Sequence, residues 1–179
     1  MKKIIITICS ALLFWACEKK IIREVGRVDI AIEGNKWEWA IEKNAYYEDT
    51  PNSKTAIVFL GFNEYKELRE HLAFQNIELD TNRDTIFLNY IDGRSINFPE
   101  IPTASFSTFT SDGDVHSELF FTSSNEAHKN WLLLDKIKRN RLEGTFHIHL
   151  ARPEGTSIHG RKYPDTLQIE GAFLVKQDD

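Results

Sequence analysis

Cysteine is scarce in this chain, with only Cys9 and Cys17 among 179 residues. Two thiols cannot build a disulfide-rich scaffold, and they cannot supply the four thiolates of a structural zinc or iron–sulfur site. Positive charge is also in deficit, because 22 Lys and Arg stand against 27 Asp and Glu, a net charge of -5. No nucleic-acid partner is therefore expected, since such proteins carry a basic surface.

The motifs of the common enzyme classes are also missing. The sequence has no Gly-x-Ser-x-Gly nucleophile elbow, no Gly-rich phosphate loop and no dinucleotide fingerprint. We therefore expect a protein that is not an enzyme and that takes no cofactor. A pair of carboxylates acting as acid and base leaves no fixed spacing in a sequence, so that route to catalysis stays open.

Apolar residues form one short run at the N-terminus. Lys2 and Lys3 precede the uncharged segment 4–15, which is shorter than the roughly 20 residues of a membrane-spanning helix. Ala16 and Cys17 follow, and polar residues begin at position 18. This pattern resembles the signal of a bacterial lipoprotein, in which a small residue precedes the cysteine that is acylated. The resemblance implies that 1–16 is a signal peptide and that Cys17 carries acyl chains of the palmitate type.

Lipidation at Cys17 predicts a location in the cell envelope. Acyl chains would anchor the chain to the lipid membrane, because each buried methylene contributes about 0.8 kcal/mol. Residues 17–26 would be a tether of at most roughly 30 Å, and residues 27–179 a single domain. We expect the outer membrane, on its periplasmic or its surface side, and the lack of a further thiol suits an oxidising compartment.

Alternation of apolar and polar residues with a period of two runs from Arg27 onward and predicts β-strands. About nine or ten such segments occur without the spacing of β-α-β units. The fold class predicted is therefore all-β, an antiparallel β-sandwich or meander barrel with little helix. Segment 63–75 fits a helix or a strand, and we favour a strand over 68–79 after a short turn capped by Asn63. A two-residue turn at Gly34 and Asn35 predicts a hairpin with Ile32 opposite Trp37.

Several short motifs lie along this β pattern. They are Gly-x-x-Trp at 34–37, Leu-Arg-Glu-x-Leu-x-Phe at 68–74, and a C-terminal block at 112–115, 130–132, 142–146 and 167–173. Together with the acylated cysteine, they resemble a domain family of unknown function in small lipoproteins of the Bacteroidetes type. The resemblance implies an exported, anchored all-β protein and brings no catalytic residues.

Two histidines form the main candidate for a metal site. His147 and His149 are two apart on a predicted strand and share one face, so both imidazoles can reach one ion, with His159 or Glu170 as a third ligand. A metal-dependent hydrolase is the corresponding hypothesis. The alternative is that both histidines lie on the solvated face of the strand, because Phe146, Ile148 and Leu150 take the core.

A long loop at 152–165 is the main candidate for a binding element. Its length exceeds that of a normal hairpin connection, and it contains Arg152, His159, Arg161, Lys162 and Tyr163. This basic cluster suits an anionic glycan, a lipid headgroup or an acidic partner, and the alternative is a surface loop that binds nothing.

The function that these features favour is a membrane-anchored binding or interaction module, with an envelope protein or a glycan as its partner. The alternative is a carrier that holds a small apolar ligand or a glycan in a β cavity. Trp37, Trp39 and Trp131 can stack on sugars, although the first two share a face with Ile30 and Ile32 in the predicted hairpin, which favours core packing.

Overall fold

The computed structural model describes residues 27–36, 42–50, 54–79, 85–91, 100–110, 115–138, 141–154 and 162–176. Within these ranges the chain forms eleven β-strands and a short 3-10 helix at Ser124–Lys129. The strands are β1 (Arg27–Ile32), β2 (Asn35–Lys36), β3 (Glu42–Thr50), β4 (Lys54–Phe62), β5 (Leu68–Ile77), β6 (Thr85–Phe87), β7 (Thr103–Phe109), β8 (His116–Thr122), β9 (Trp131–Lys138), β10 (Arg141–Ala151) and β11 (Thr166–Lys176). The proposed signal peptide, Cys17 and the tether lie outside the described residues.

One curled antiparallel sheet contains all of these strands. Nine of them follow the order β2-β1-β11-β10-β8-β7-β5-β4-β3, and β9 pairs with β10 and β6 beside this path. Strand β3 also contacts β1 and β11, so the sheet curls back toward its first edge. The predicted all-β antiparallel fold is confirmed. In the part of the chain that the structure describes, no helix is long and apolar enough to cross a membrane.

Strand β10 shares one of its edges between two partners. It pairs with β9 from Arg141 to His147 and with β8 at Leu150 and Ala151. The buried Asn130 side chain lies at the changeover, where its Oδ1 accepts the His149 backbone N–H at 2.6 Å and its Nδ2 donates to the Ser123 carbonyl at 3.4 Å. The Asn130 side chain thus replaces a missing strand partner, because buried backbone N–H and C=O groups need hydrogen-bond partners.

Phenylalanine rings fill the space that the sheet encloses. Phe59, Phe74, Phe146 and Phe173 are buried and lie in mutual contact, with ring centres between 5.0 and 6.5 Å apart. The alternation that predicted the strands places these residues on the inner face, and Ile148 and Leu150 on β10 follow the same pattern. Strand β4 is apolar on both sides, because Ala56 and Val58 form a second buried cluster with Ala73.

The first hairpin differs from its predicted register. Ile32 pairs with Asn35 rather than lying opposite Trp37, and the two turn residues are Glu33 and Gly34. Both have positive φ, +51° and +73°, as a type I′ turn requires, and glycine takes the second central position. The Glu33 backbone also extends the β1–β11 ladder, since its N–H donates to the Gln168 carbonyl at 2.9 Å. Trp37 and Trp39 lie outside the described residues.

Segment 63–75 is a turn followed by a strand, as favoured from the sequence. Oδ1 of Asn63 accepts the backbone N–H groups of Tyr65 and Glu67 at 3.0 and 2.9 Å. This cap closes the turn, and β5 then begins at Leu68. The turn matters for the site below because it sets the register that brings Glu70 to the inner face.

Candidate binding site at the base of the 152–165 loop

Three polar side chains form a row across the inner face of the sheet. Glu70 on β5 pairs with Thr108 on β7, which pairs with Glu118 on β8. All three are buried, and the two glutamates have no exposed surface at all. The next inward residues, Leu72, Phe106 and Phe120, belong to the core (the inward positions of a strand recur every two residues). Two carboxylates are thus placed where the strand pattern calls for apolar residues.

Arg152, the first residue of the loop, turns inward to meet Glu118. Its Nη2 lies 2.7 Å from Glu118 Oε1 and donates to the Tyr163 carbonyl at 3.0 Å. Its guanidinium carbon lies 4.7 Å from the centre of the Phe120 ring, and its side chain is only 5% exposed. The backbone of Arg152 donates to the Asp165 carbonyl at 2.8 Å, so the two ends of the loop are tied together.

Lys162 and Tyr163, near the other end of the loop, meet Glu70. Lys162 Nζ lies 2.5 Å from Glu70 Oε1, and the Tyr163 hydroxyl donates to the same oxygen at 2.6 Å. The backbone N–H of Tyr163 donates to Glu118 Oε1 at 3.3 Å, which connects the two carboxylates through one residue. Burial and the neighbouring Glu70 raise the pKa of the Tyr163 hydroxyl, because the phenolate would be a third buried negative charge.

We call these six residues (Glu70, Thr108, Glu118, Arg152, Lys162 and Tyr163) the loop-base cluster. Each buried carboxylate has its own cation, so the charge is compensated within each of the two pairs. Burying a charge is costly unless it is paired and hydrogen-bonded, and here both conditions hold. The cluster therefore has a structural role, because it fixes both ends of the loop to the interior of the sheet.

The structure brings together three of the five loop residues predicted to bind a partner. Arg152, Lys162 and Tyr163 meet in the loop-base cluster, whereas His159 and Arg161 lie outside the described residues. Arg152 points inward rather than toward solvent, and Lys162 keeps 30% of its side chain exposed. Sequence reasoning missed Glu70 and Glu118 as partners of this loop, although the inward position of Glu70 between Leu68 and Leu72 was a usable signal.

A groove of about 390 Å³ opens beside the first residues of the loop. We call it the Tyr90 groove, because the half-exposed ring of Tyr90 stands at its side. Its other lining residues are Ile91, residues 121–125 at the end of β8 and in the corner after it, and residues 151–154. The inward-facing Arg152 fixes the last of these walls.

Comparison of the chain with protein-family models, with curated proteins and with solved structures finds no match. The resemblance to a family of small lipoproteins therefore remains a prediction.

His147 and His149 lie on the outer face of β10, as their spacing predicted. Their ring centres are 4.8 Å apart, and the Trp131 ring on β9 stacks beside His147 at 6.2 Å. Glu170 is the cross-strand neighbour of His147, while His159 is outside the described residues. Among the residues that the structure describes, no three His, Cys, Asp or Glu side chains gather to hold a metal ion.

Proposed function

We propose that this chain is an exported, lipid-anchored binding module that holds a glycan in the Tyr90 groove. The observation that carries the proposal is the inward Arg152–Glu118 pair, which fixes the loop wall of the groove to the interior of the sheet. Binding residues commonly lie on loops that a rigid scaffold positions, and a pre-formed wall lowers the entropic cost of binding.

The lining of the groove favours a sugar over an apolar ligand. An exposed aromatic ring such as that of Tyr90 packs against the apolar face of a pyranose, and we expect a contribution on the scale of a contact between two aromatic rings, about 0.5–1.5 kcal/mol. Ser124, Asn125 and Glu154 supply donors and acceptors for hydroxyl groups. The volume of about 390 Å³ lies within the usual range of small-ligand sites, roughly 300–1,000 Å³.

The packed interior favours the groove over the alternative of a carrier cavity. Phe59, Phe146 and Phe173 contact one another across the space between the curled halves of the sheet. A ligand placed there would have to displace these rings, and displacing close-packed side chains costs on the order of several kcal/mol.

Binding is tested on the full lipidated chain in detergent, against a panel of neutral and anionic oligosaccharides. Titration calorimetry on the best of these ligands then compares wild type with Tyr90→Ala and Tyr65→Ala. Both tyrosines are exposed, but Tyr65 lies in the 63–67 turn and does not line the groove. We expect Tyr90→Ala to weaken binding about tenfold and Tyr65→Ala to leave it unchanged. Equal effects of the two variants, or no saturable binding across the panel, would overturn the glycan proposal.

The anchoring part of the proposal rests on Ala16 and Cys17 and has its own test. Mass spectrometry of the mature N-terminus should find residue 17 acylated and residues 1–16 removed. Cys17→Ser should release the protein from the membrane fraction while the Tyr90 groove still binds. An unmodified Cys17 in a chain that retains residues 1–16 would refute lipidation without touching the groove.

A further inference from the structure

We infer that His147 and His149 form a binding site for a divalent transition-metal ion on the outer face of β10. The site is separate from the Tyr90 groove and does not depend on the proposed function. It consists of two imidazoles held on adjacent outward positions of one strand, with water in the other ligand positions of the ion. Copper(II), nickel(II) and zinc(II) are the ions that imidazole ligands suit.

The distance between the two rings fits a shared ion. With metal–nitrogen bonds of about 2.0–2.1 Å, each imidazole centre lies roughly 3.2 Å from the metal. At ligand angles between about 90° and 110°, the two ring centres are then roughly 4.5–5.2 Å apart. The observed separation of 4.8 Å between His147 and His149 falls inside this range, and their planes differ by 59°.

A backbone carbonyl selects the tautomer of the neutral His147 ring. Nδ1 of His147 lies 3.0 Å from the Lys129 carbonyl oxygen, which can only accept, so Nδ1 carries the hydrogen. The neutral ring therefore has its lone pair on Nε2. Metal-binding histidines use this same arrangement, in which the other ring nitrogen donates to a carbonyl and orients the ligand.

The lone pair on His147 Nε2 is occupied by an exposed side chain, Gln168, that can turn away into solvent. Gln168 Nε2 donates to His147 Nε2 at 3.1 Å, and Gln168 itself is exposed. Gln168 is also the cross-strand neighbour of His149. A metal ion can take its place at His147 because an exposed amide recovers hydrogen bonds to water when it turns away.

Trp131 provides a built-in reporter for this site. Its ring is nearly parallel to that of His147, with an angle of 17° and centres 6.2 Å apart. Copper(II) quenches indole fluorescence at such short range. The test titrates the full chain in detergent with copper(II) alone, and follows tryptophan emission and the electron paramagnetic resonance spectrum.

We expect saturable quenching and a spectrum with two coordinated imidazole nitrogens. His149→Gln should weaken copper binding at least tenfold, whereas the matched control His116→Gln, at an exposed histidine on β8, should not change it. Trp131→Phe should reduce the saturable quenching and keep the two-nitrogen spectrum. The inference fails if wild type shows one imidazole or none, or if His149→Gln and His116→Gln bind alike. If a histidine variant misfolds, the effect of Trp131→Phe on the quenching still decides whether the copper ion lies beside His147.

Discussion

Arg152 and Glu118 form an ion pair that is closed to solvent, with 2.7 Å between Nη2 and Oε1 and side chains that are 5% and 0% exposed. The two residues are brought together from the start of a loop and from the middle of a strand, 34 positions apart. Because neither group has water as an alternative partner, the loop cannot leave the sheet without exposing or stranding a charge. This pair ties the start of the 152–165 loop to the core.

Removing the cation of this pair should destabilise the protein strongly. Arg152→Met keeps most of the apolar contact with Phe120 but leaves the Glu118 carboxylate buried without its cation. The expected loss in the free energy of unfolding is about 3–5 kcal/mol, measured by urea denaturation. Asp165→Asn is the matched control, because Asp165 also bonds Arg152 but is 63% exposed, and such contacts contribute only about 0–1 kcal/mol.

A double-mutant cycle separates pairing from packing. In Arg152→Met with Glu118→Gln, the buried charge is removed together with its partner, so the double variant should be more stable than Arg152→Met alone. Additive losses in the two single variants would mean that the pair is not coupled and that the loop is held by packing.

Alkaline pH should weaken the attachment at Tyr163. The pKa of its hydroxyl is raised in the folded protein, so the native state keeps a proton that the unfolded chain, with a pKa near 10, gives up. The stabilisation is therefore complete below about pH 10 and is lost as the pH rises above that value.

Comparing Tyr163→Phe with Tyr65→Phe measures this contribution. Tyr163→Phe should cost about 1–3 kcal/mol at neutral pH, because Glu70 loses a hydrogen-bond donor. Its unfolding free energy should then fall less steeply than that of wild type between pH 10 and pH 11. The control variant Tyr65→Phe, at an exposed position, should leave the dependence of the unfolding free energy on pH unchanged. Parallel dependences for wild type and Tyr163→Phe would contradict the raised pKa of Tyr163.

The Asn130 side chain should stabilise the fold about as much as a hydrogen bond from a neighbouring strand would. Asn130→Ala removes the acceptor for the His149 N–H in a fully buried position, at an expected cost of about 1–3 kcal/mol. Hydrogen exchange at the His149 amide should also become faster. Asn125→Ala, at an exposed position of the same corner, should change stability by less than about 0.5 kcal/mol. If the two variants cost the same, the side chain does not complete the sheet.

Gly171 should tolerate no side chain. It lies opposite Phe146 in the β10–β11 pair, and an added Cβ would come within 2.7 Å of both the Phe146 ring and the Asp29 carbonyl oxygen. Gly171→Ala should therefore cost about 1–3 kcal/mol in thermal or urea unfolding. Gly34→Asn is the contrasting substitution, since that turn has φ +73° and open space, which asparagine accepts. A Gly171→Ala variant as stable as Gly34→Asn would show that the ring moves away freely.

The sequence allowed the strands to be predicted well, and the pairing between them less well. Alternation identifies inward residues such as Phe146 and Ile148 because one face of each strand is buried. The register of the first hairpin was misjudged because Gly34 fits either central position of a two-residue turn. Only the ladder with β11, which reaches Glu33 from 135 positions away, decides between them.

Only the loop residues of the candidate site could be predicted from the sequence. Arg152, Lys162 and Tyr163 stand close together in the sequence and attract attention as a basic cluster. Their partners Glu70 and Glu118 lie on strands that are far from the loop in sequence, and only the sheet order β8-β7-β5 places them side by side. A charge at an inward position is a sign that such a partner exists, but the sequence does not say which residue it is.

The pairing of β1 with β11 also has a consequence for how the protein forms. The first described strand is hydrogen-bonded along its whole length to the last one, from Arg27 with Leu174 to Ile32 with Ile169. Contacts between such distant positions are slow to form, because a long stretch of chain must be closed into a loop first. The sheet therefore cannot be completed until β11 has been synthesised. Truncation before Thr166 would leave this edge of β1 unpaired, so the shortened chain should aggregate rather than form a smaller folded sheet.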